Sequence, residues 1–243
     1  MGNEKNLNKG GSGLTDSRLG HIAFIMDGNG RWAQKRGMPR EYGHIHGAKA
    51  MFDTATRVFE RQIGVMTIYA FSTENWSRPE KEIEALKKIL FEYIKKAREI
   101  MKKDNVQFHF IGDYSKFGER ATAELKALEE DSAGNRWVLN TALNYGGRDE
   151  IVRAVNRAIS EGKTELTEDD ITHRLDTAHC PPPDLIVRTG GEMRLSNFLL
   201  WQAAYAEFYS TTALWPDFDE NELDNAIEAF SQRKRRFGGL INQ

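Results

Sequence analysis

The sequence predicts an α/β fold: a single domain with a mostly parallel central sheet of about six strands, flanked by helices on both faces. Three observations predict it. Short apolar runs at residues 21–26, 65–71, 106–112, 137–144 and 184–189 alternate with longer stretches whose apolar residues recur at helical spacing. The 243 residues, 40% of them hydrophobic, can bury one sizeable core. Residues 21–243 contain no linker long enough to divide them, and Pro181-Pro182-Pro183 reads as a rigid surface turn.

In chain order, residues 1–20 are small and polar and are expected to form a flexible N-terminal tail. The first strand (HIAFIM) delivers Asp27-Gly28-Asn29-Gly30-Arg31-Trp32, with a helix expected to start near Arg31. Helical patterns follow at 43–62, 79–103, 114–130, 148–160, 168–175 and 219–235. Pro79 suits a first helical position, and Thr167 with Asp170 three residues on forms a capping box. In sheets of this kind ligands bind at the carboxyl ends of the strands.

The charge balance of 34 basic against 36 acidic residues, a net −2, argues against a nonspecific nucleic-acid binder. A lone cysteine, Cys180, permits neither an intrachain disulfide nor a CxxC zinc site, and fits a reducing cytoplasm. No apolar run approaches the roughly 18 residues of a membrane span, and the first twenty residues lack the apolar core of a signal peptide. A cytoplasmic protein without a transmembrane segment is expected.

Chemistry gathers at the strand ends. Asp27 is placed as a magnesium ligand or a nucleophile, while Gly28 and Gly30 let backbone N–H groups approach an anion closely. Asn29-Gly30 would equally suit an ordinary turn. Arg40 and His44 flank the start of the next helix and could hold the outer oxygens of a diphosphate, although a histidine there can also be a simple cap. The second strand runs into Ser72, Thr73, Glu74, Asn75, Trp76 and Arg78, a polar loop at the same sheet edge. Trp76 could instead cap the core. The fifth strand leads through Gly190-Gly191 to Arg194, Leu195 and Ser196, so that Arg188 and Arg194 frame a second anion cradle. Glu207 lies in an aromatic stretch where a carboxylate needs a cation or a hydrogen-bond partner. The helix at 79–103 carries an apolar stripe of Ile83, Leu86, Ile89, Leu90, Tyr93, Ile94, Ala97 and Met101. Core packing explains such a stripe, and a lipid-binding wall is compatible with it.

Together HIAFIMDGNGRW, YAFSTENWSRP, LNYGGR, DLIVRTGGEMRLSNFLLW, AYAEFY and LWPDF resemble the cis-prenyltransferase family, in its bacterial branch that makes undecaprenyl diphosphate. The resemblance spans residues 21–239. It implies a magnesium-dependent transferase that extends farnesyl diphosphate by successive cis additions of isopentenyl diphosphate, yielding a long-chain polyprenyl diphosphate for cell-wall synthesis.

On that resemblance Asp27 and Glu207 become magnesium ligands. Gly28, Asn29, Gly30, Arg31, Trp32, Arg40 and His44 hold the allylic diphosphate. Arg188, Arg194, Leu195 and Ser196 form the isopentenyl diphosphate site, and the loop from Ser72 to Arg78 lines the junction. Asn75 matches a residue assigned to proton removal, although an amide is a poor base. Met193 stands where some members carry a histidine. The resemblance also implies a homodimer, in which Arg236 and Gly238 reach the partner's isopentenyl diphosphate, with residues 214–239 as an apolar interface. Product release implies peripheral contact with a membrane. By charge alone the Arg236 segment reads instead as a basic helix end capped by Gly238.

An aspartate-nucleophile phosphatase is the rival class, since Asp27 follows the first strand. Asn29 stands where that chemistry wants a second aspartate. A noncatalytic partner subunit would have lost cradle residues that are all present here.

Overall fold

A computed structural model describes residue 16 and residues 18–233. Most of the expected tail, and both Arg236 and Gly238, lie outside the described residues.

Six strands form one sheet: β1 (His21–Ile25), β2 (Val65–Ser72), β3 (Val106–Ile111), β4 (Trp137–Tyr145), β5 (Leu185–Arg188) and β6 (Glu207–Ser210). Their spatial order is β3-β4-β2-β1-β5-β6 and every pairing is parallel. The described residues also form helices α1 (Asn29–Gln34), α2 (Arg40–Glu60), α3 (Glu80–Asp104), α4 (Glu119–Ser132), α5 (Gly147–Ser160), α6 (Glu168–Thr172) and α7 (Glu220–Ser231).

The central strands β1, β2 and β5 are largely apolar because both sheet faces are covered, whereas the edge strand β3 interleaves Gln107 and His109. In β1 every residue is buried. Ile22 and Phe24 join the large core built with α2, α3, α4 and α7. Ala23 and Ile25, turned the other way by the two-residue period, join Tyr145, Phe198 and Leu199. The stripe on α3 is largely core: Leu90, Tyr93, Ile94, Ala97 and Met101 are buried. The apolar residues of the 214–230 stretch are likewise consumed internally, with Trp215, Phe218, Leu223 and Ile227 each at most 2% exposed. That stretch therefore offers little apolar surface to a partner.

Several boundaries differ from the sequence expectation. Pro39 and Pro79 occupy N-cap positions, so α2 begins at Arg40 and α3 at Glu80. The pattern at 114–130 is split, because Gly118 at φ 97° separates a short 3-10 turn, Tyr114–Phe117, from α4. The Thr167–Asp170 capping box is formed, with the Asp170 N–H donating to Thr167 Oγ1 at 3.1 Å. Helix α7 stops at Ser231 with Gln232 as its C-cap. The sixth strand, β6, is an edge strand of four half-buried residues, too short to announce itself by pattern.

From β1 the chain crosses to β2 on one side, whereas β5 lies on the other and leads outward to β6. The carboxyl ends of β1 and β5 therefore flank a topological switch point, the crevice in which such sheets bind ligands.

Candidate active site

Asp27 lies just past β1, and its two oxygens serve two arginines. Oδ1 is 3.1 Å from an Nη of Arg31 and Oδ2 is 3.0 Å from Nη2 of Arg188. Gly28 turns the chain at φ 110°, and a Cβ there would lie 2.8 Å from the Leu214 side chain. Arg31 also donates to the Gly190 carbonyl at 2.8 Å, tying the segment after β1 to the segment after β5. Gly190 is required for this approach: at φ +85° a Cβ would stand 2.3 Å from Arg31 Nη2. The first cradle is thus a turn that seats a carboxylate between two cations.

The second cradle separates two residues that the sequence placed together. Arg188 is only 4% exposed, and its fork is occupied by Asp27, by the Arg194 carbonyl at 2.5 Å and by Ser196 Oγ at 2.7 Å. Its buried Nε has no partner. The Arg194 side chain is 62% exposed and pairs with Glu192 at 2.5 Å. Arg188 is therefore an organiser inside the crevice and Arg194 a cation at its rim. Leu195 is half-buried beside Phe198, and Met193 is 81% exposed.

Arg40 and His44, the first and fifth residues of α2, meet a residue the sequence reading missed. Glu82, in the first turn of α3, has Oε2 3.5 Å from Arg40 Nε and Oε1 3.3 Å from His44 Nε2. Arg78 donates to the same Oε1 at 3.0 Å. Burial lowers the His44 pKa, nearby Arg78 adds to that, and the Glu82 contact opposes it. Burial also works against ionising Glu82, but Arg78 and Arg40 outweigh it and hold the carboxyl below its usual range. The only sequence signal for Glu82 was its i+4 spacing from Arg78.

The loop after β2 forms a short 3-10 turn, Thr73–Ser77. Asn75 Oδ1 accepts the Ser72 N–H at 3.1 Å, closing a capping box around Ser72. With its oxygen so engaged, Asn75 shapes the loop. Trp76 donates to Asn144 Oδ1 at 2.7 Å and packs on Phe71 and Phe117, a core-capping position. Glu74 Oε1 accepts from Asn197 Nδ2 at 3.2 Å, joining this loop to the one after β5. Thr73 lies against Gly146.

Two expected site residues are not in the crevice. Trp32 is 7% exposed, donates to Asp217 Oδ1 at 2.5 Å and stacks among Tyr42 and His46, so it fastens α1 and touches no open cradle. Glu207 opens β6 opposite Leu185, at the amino end of the sheet, whereas Arg188 and Ser210 mark the carboxyl end. Three residues of strand, about 10 Å, separate the two levels. Its carboxylate is met by Arg233 at 2.7 Å, the cation its apolar setting demanded. Within one chain Glu207 does not join Asp27. Among the described residues no three His, Cys, Asp or Glu side chains gather to hold a metal. A lone carboxylate would fit only an ion of the magnesium type, which can bind through one or two carboxylates and keep its other places for water and substrate phosphates. Asp27 is the carboxylate available.

Behind Asp27 an apolar cavity of about 100 Å³ runs between α2, α3 and the sheet, lined by Met26, Met51, Phe71, Leu86, Ile89 and Leu90 among others. Leu86 and Ile89, half-buried members of the α3 stripe, thus face this space.

The prenyltransferase family described as undecaprenyl diphosphate synthase matches residues 25–238. An isoprenyl transferase of Fusobacterium nucleatum is 51% identical over 223 residues, covering 91% of this chain and 96% of that protein. A (2E,6E)-farnesyl-diphosphate-specific ditrans,polycis-undecaprenyl-diphosphate synthase of Photorhabdus laumondii is 44% identical over 228 residues, covering 91% and 90%. A solved lavandulyl diphosphate synthase from Lavandula x intermedia, in complex with dimethylallyl diphosphate, superposes with a TM-score of 0.86 at 32% identity, covering 90% of this chain and 98% of that one.

Proposed function

Because the chain belongs to the undecaprenyl diphosphate synthase family of cis-prenyltransferases, we propose that it condenses isopentenyl diphosphate onto farnesyl diphosphate in successive cis additions. The product is a long-chain polyprenyl diphosphate, assigned here as undecaprenyl diphosphate for cell-wall synthesis. One observation carries the reading: Asp27 is clamped between an arginine from each of two strand-end segments, and its neighbours Met26 and Asn29 line an apolar cavity. Two anionic heads and one apolar tail are what that arrangement suits.

In this reading Arg31, Arg40 and His44, with the backbone of Gly28, Asn29 and Gly30, hold the allylic diphosphate. Arg194 and Ser196 receive isopentenyl diphosphate, and Arg188 fixes the position of Asp27 between them. Asp27 would hold magnesium, which supplies charge neutralisation for the departing diphosphate. The cavity is smaller than the roughly 300–1,000 Å³ of ordinary small-molecule sites. Packing of α2 against α3 must therefore relax as the tail enters and grows.

We assign a second copy of the chain as partner, in the cytoplasm, with peripheral membrane contact as the lipid product leaves. No helix among the described residues is long and apolar enough to cross a membrane. The exposed Val152 and Ile159 on one face of α5 suit a second copy better than the consumed 214–230 stretch does.

The test is incubation with farnesyl diphosphate, labelled isopentenyl diphosphate and magnesium, followed by separation of products by length. A magnesium-dependent ladder of labelled chains is expected. Release of phosphate without chain growth would favour the phosphatase class instead.

A further inference from the structure

Glu82 is 8% exposed, yet it lies among groups expected to bind an anion. A carboxylate there repels a diphosphate, so its presence needs a reason. Three groups from one helix and a loop converge on it: Arg40 and His44 from α2, and Arg78 from the segment ahead of α3. The Arg40 and Arg78 side chains are otherwise 48% and 31% exposed, long and free to rotate. Arg40 is held over Gly30, whose Cβ, if present, would lie 2.8 Å from the guanidinium carbon. The carboxylate thus fixes where two flexible forks and one imidazole point, and it does so at the edge of the cradle formed by Asp27 and Arg31.

We propose that Glu82 is a positioning residue of the allylic diphosphate site, holding Arg40, His44 and Arg78 convergent before the ligand arrives. The inference rests on the functional reading above and names a residue that reading does not use. Preorganisation spares the ligand the ordering of two rotamer-rich side chains, and this outweighs the repulsion of one carboxylate whose charge three neighbours already share.

The experiment measures KM for farnesyl diphosphate and for isopentenyl diphosphate, with kcat, in the full-length enzyme carrying Glu82→Ala, Glu82→Gln or Glu82→Asp. Glu82→Ala should raise KM for farnesyl diphosphate about tenfold, the scale of one lost charge-assisted contact, while KM for isopentenyl diphosphate stays within about twofold. Glu82→Gln keeps both shape and acceptor oxygen and should recover most of that loss. A fall in the farnesyl diphosphate KM of Glu82→Ala, or a parallel rise in both KM values, overturns the proposal. If the alanine variant does not fold, the other pair decides. Aspartate, a methylene short of spanning Arg40 and Arg78, must then be worse than glutamine for farnesyl diphosphate, and the reverse order overturns the role. Wild-type enzyme is the separating control, since its failure to condense the two substrates defeats the functional reading itself.

Discussion

Asp27 and Arg188 meet at 3.0 Å across the carboxyl ends of β1 and β5, two strands that are direct neighbours although the partners are 161 positions apart in the chain. The pair is asymmetric: the Arg188 side chain is 5% exposed and that of Asp27 is 32%. Asp27→Ala therefore does two things, removing the carboxylate offered to magnesium and leaving a buried guanidinium short of a counter-charge. Most turnover should vanish, with a loss of stability of about 1–3 kcal/mol, below the range for breaking a fully buried pair because Asp27 is partly solvated. Chain-elongation rates together with urea denaturation check both parts. Near wild-type elongation in saturating magnesium would remove Asp27 from the mechanism.

Arg194 offers the opposite case. Among the described residues its side chain pairs with Glu192 alone, and its exposure means that Arg194→Ala should shift stability by no more than about 0.5 kcal/mol. Losing a charge-assisted contact worth ~2 kcal/mol should nevertheless lower kcat/KM for isopentenyl diphosphate roughly 30-fold. KM for farnesyl diphosphate should barely move. Equal effects on the two substrates would contradict the division into two anion sites.

Gly190 and Gly191 form a built-in comparison. Both have positive φ, at 85° and 82°, so alanine strains the backbone similarly at either position. Only at Gly190 would the new Cβ collide with Arg31, at 2.3 Å; at Gly191 the nearest neighbour is Thr212 Cγ2 at 3.8 Å. Gly190→Ala should lose far more activity than Gly191→Ala at comparable melting temperature. Matching activity losses would show that strain alone matters and that the seat of Arg31 does not.

His21, 1% exposed, sits between the Pro181 carbonyl and Thr67 Oγ1, each 2.7 Å from a ring nitrogen. Burial, partly offset by the Pro181 contact, pushes its pKa down from 6.5 to about 4. The unfolded chain then binds the proton more readily than the folded one between those values. Stability is full above pH 6.5 and falls as the pH drops toward 4, by on the order of 3 kcal/mol from this residue. His109, also pushed to about 4 by burial, acts in the same direction. Urea midpoints measured from pH 7 to 4 should decline, and the stability gap between wild type and His21→Gln should narrow toward the acid end. A gap that stays constant with pH would show that His21 does not titrate in this window.

Much of this protein was determined by its sequence alone. Regular alternation of apolar runs and helical periods is enough to specify a parallel sheet, because parallel strands need crossovers long enough to be helices and right-handed crossovers bury both faces. The same alternation puts Asp27 and Arg188 at the ligand-binding end, since each follows the last residues of a short apolar run. What the tertiary structure alone decided depends on register and on convergence from afar. Glu207 looked like a site residue until β6 proved to begin with it, and beginning a parallel strand instead of ending one moves a side chain to the opposite edge of the sheet. Arg188 and Arg194, six residues apart and chemically identical, became a buried organiser and an exposed cation because the loop between them leaves the sheet. Glu82 meets His44 across 38 positions and Arg40 beside it, and no local spacing encodes that meeting. It arises only when α2 and α3 pack side by side on the sheet, bringing the first turn of one against the first turns of the other.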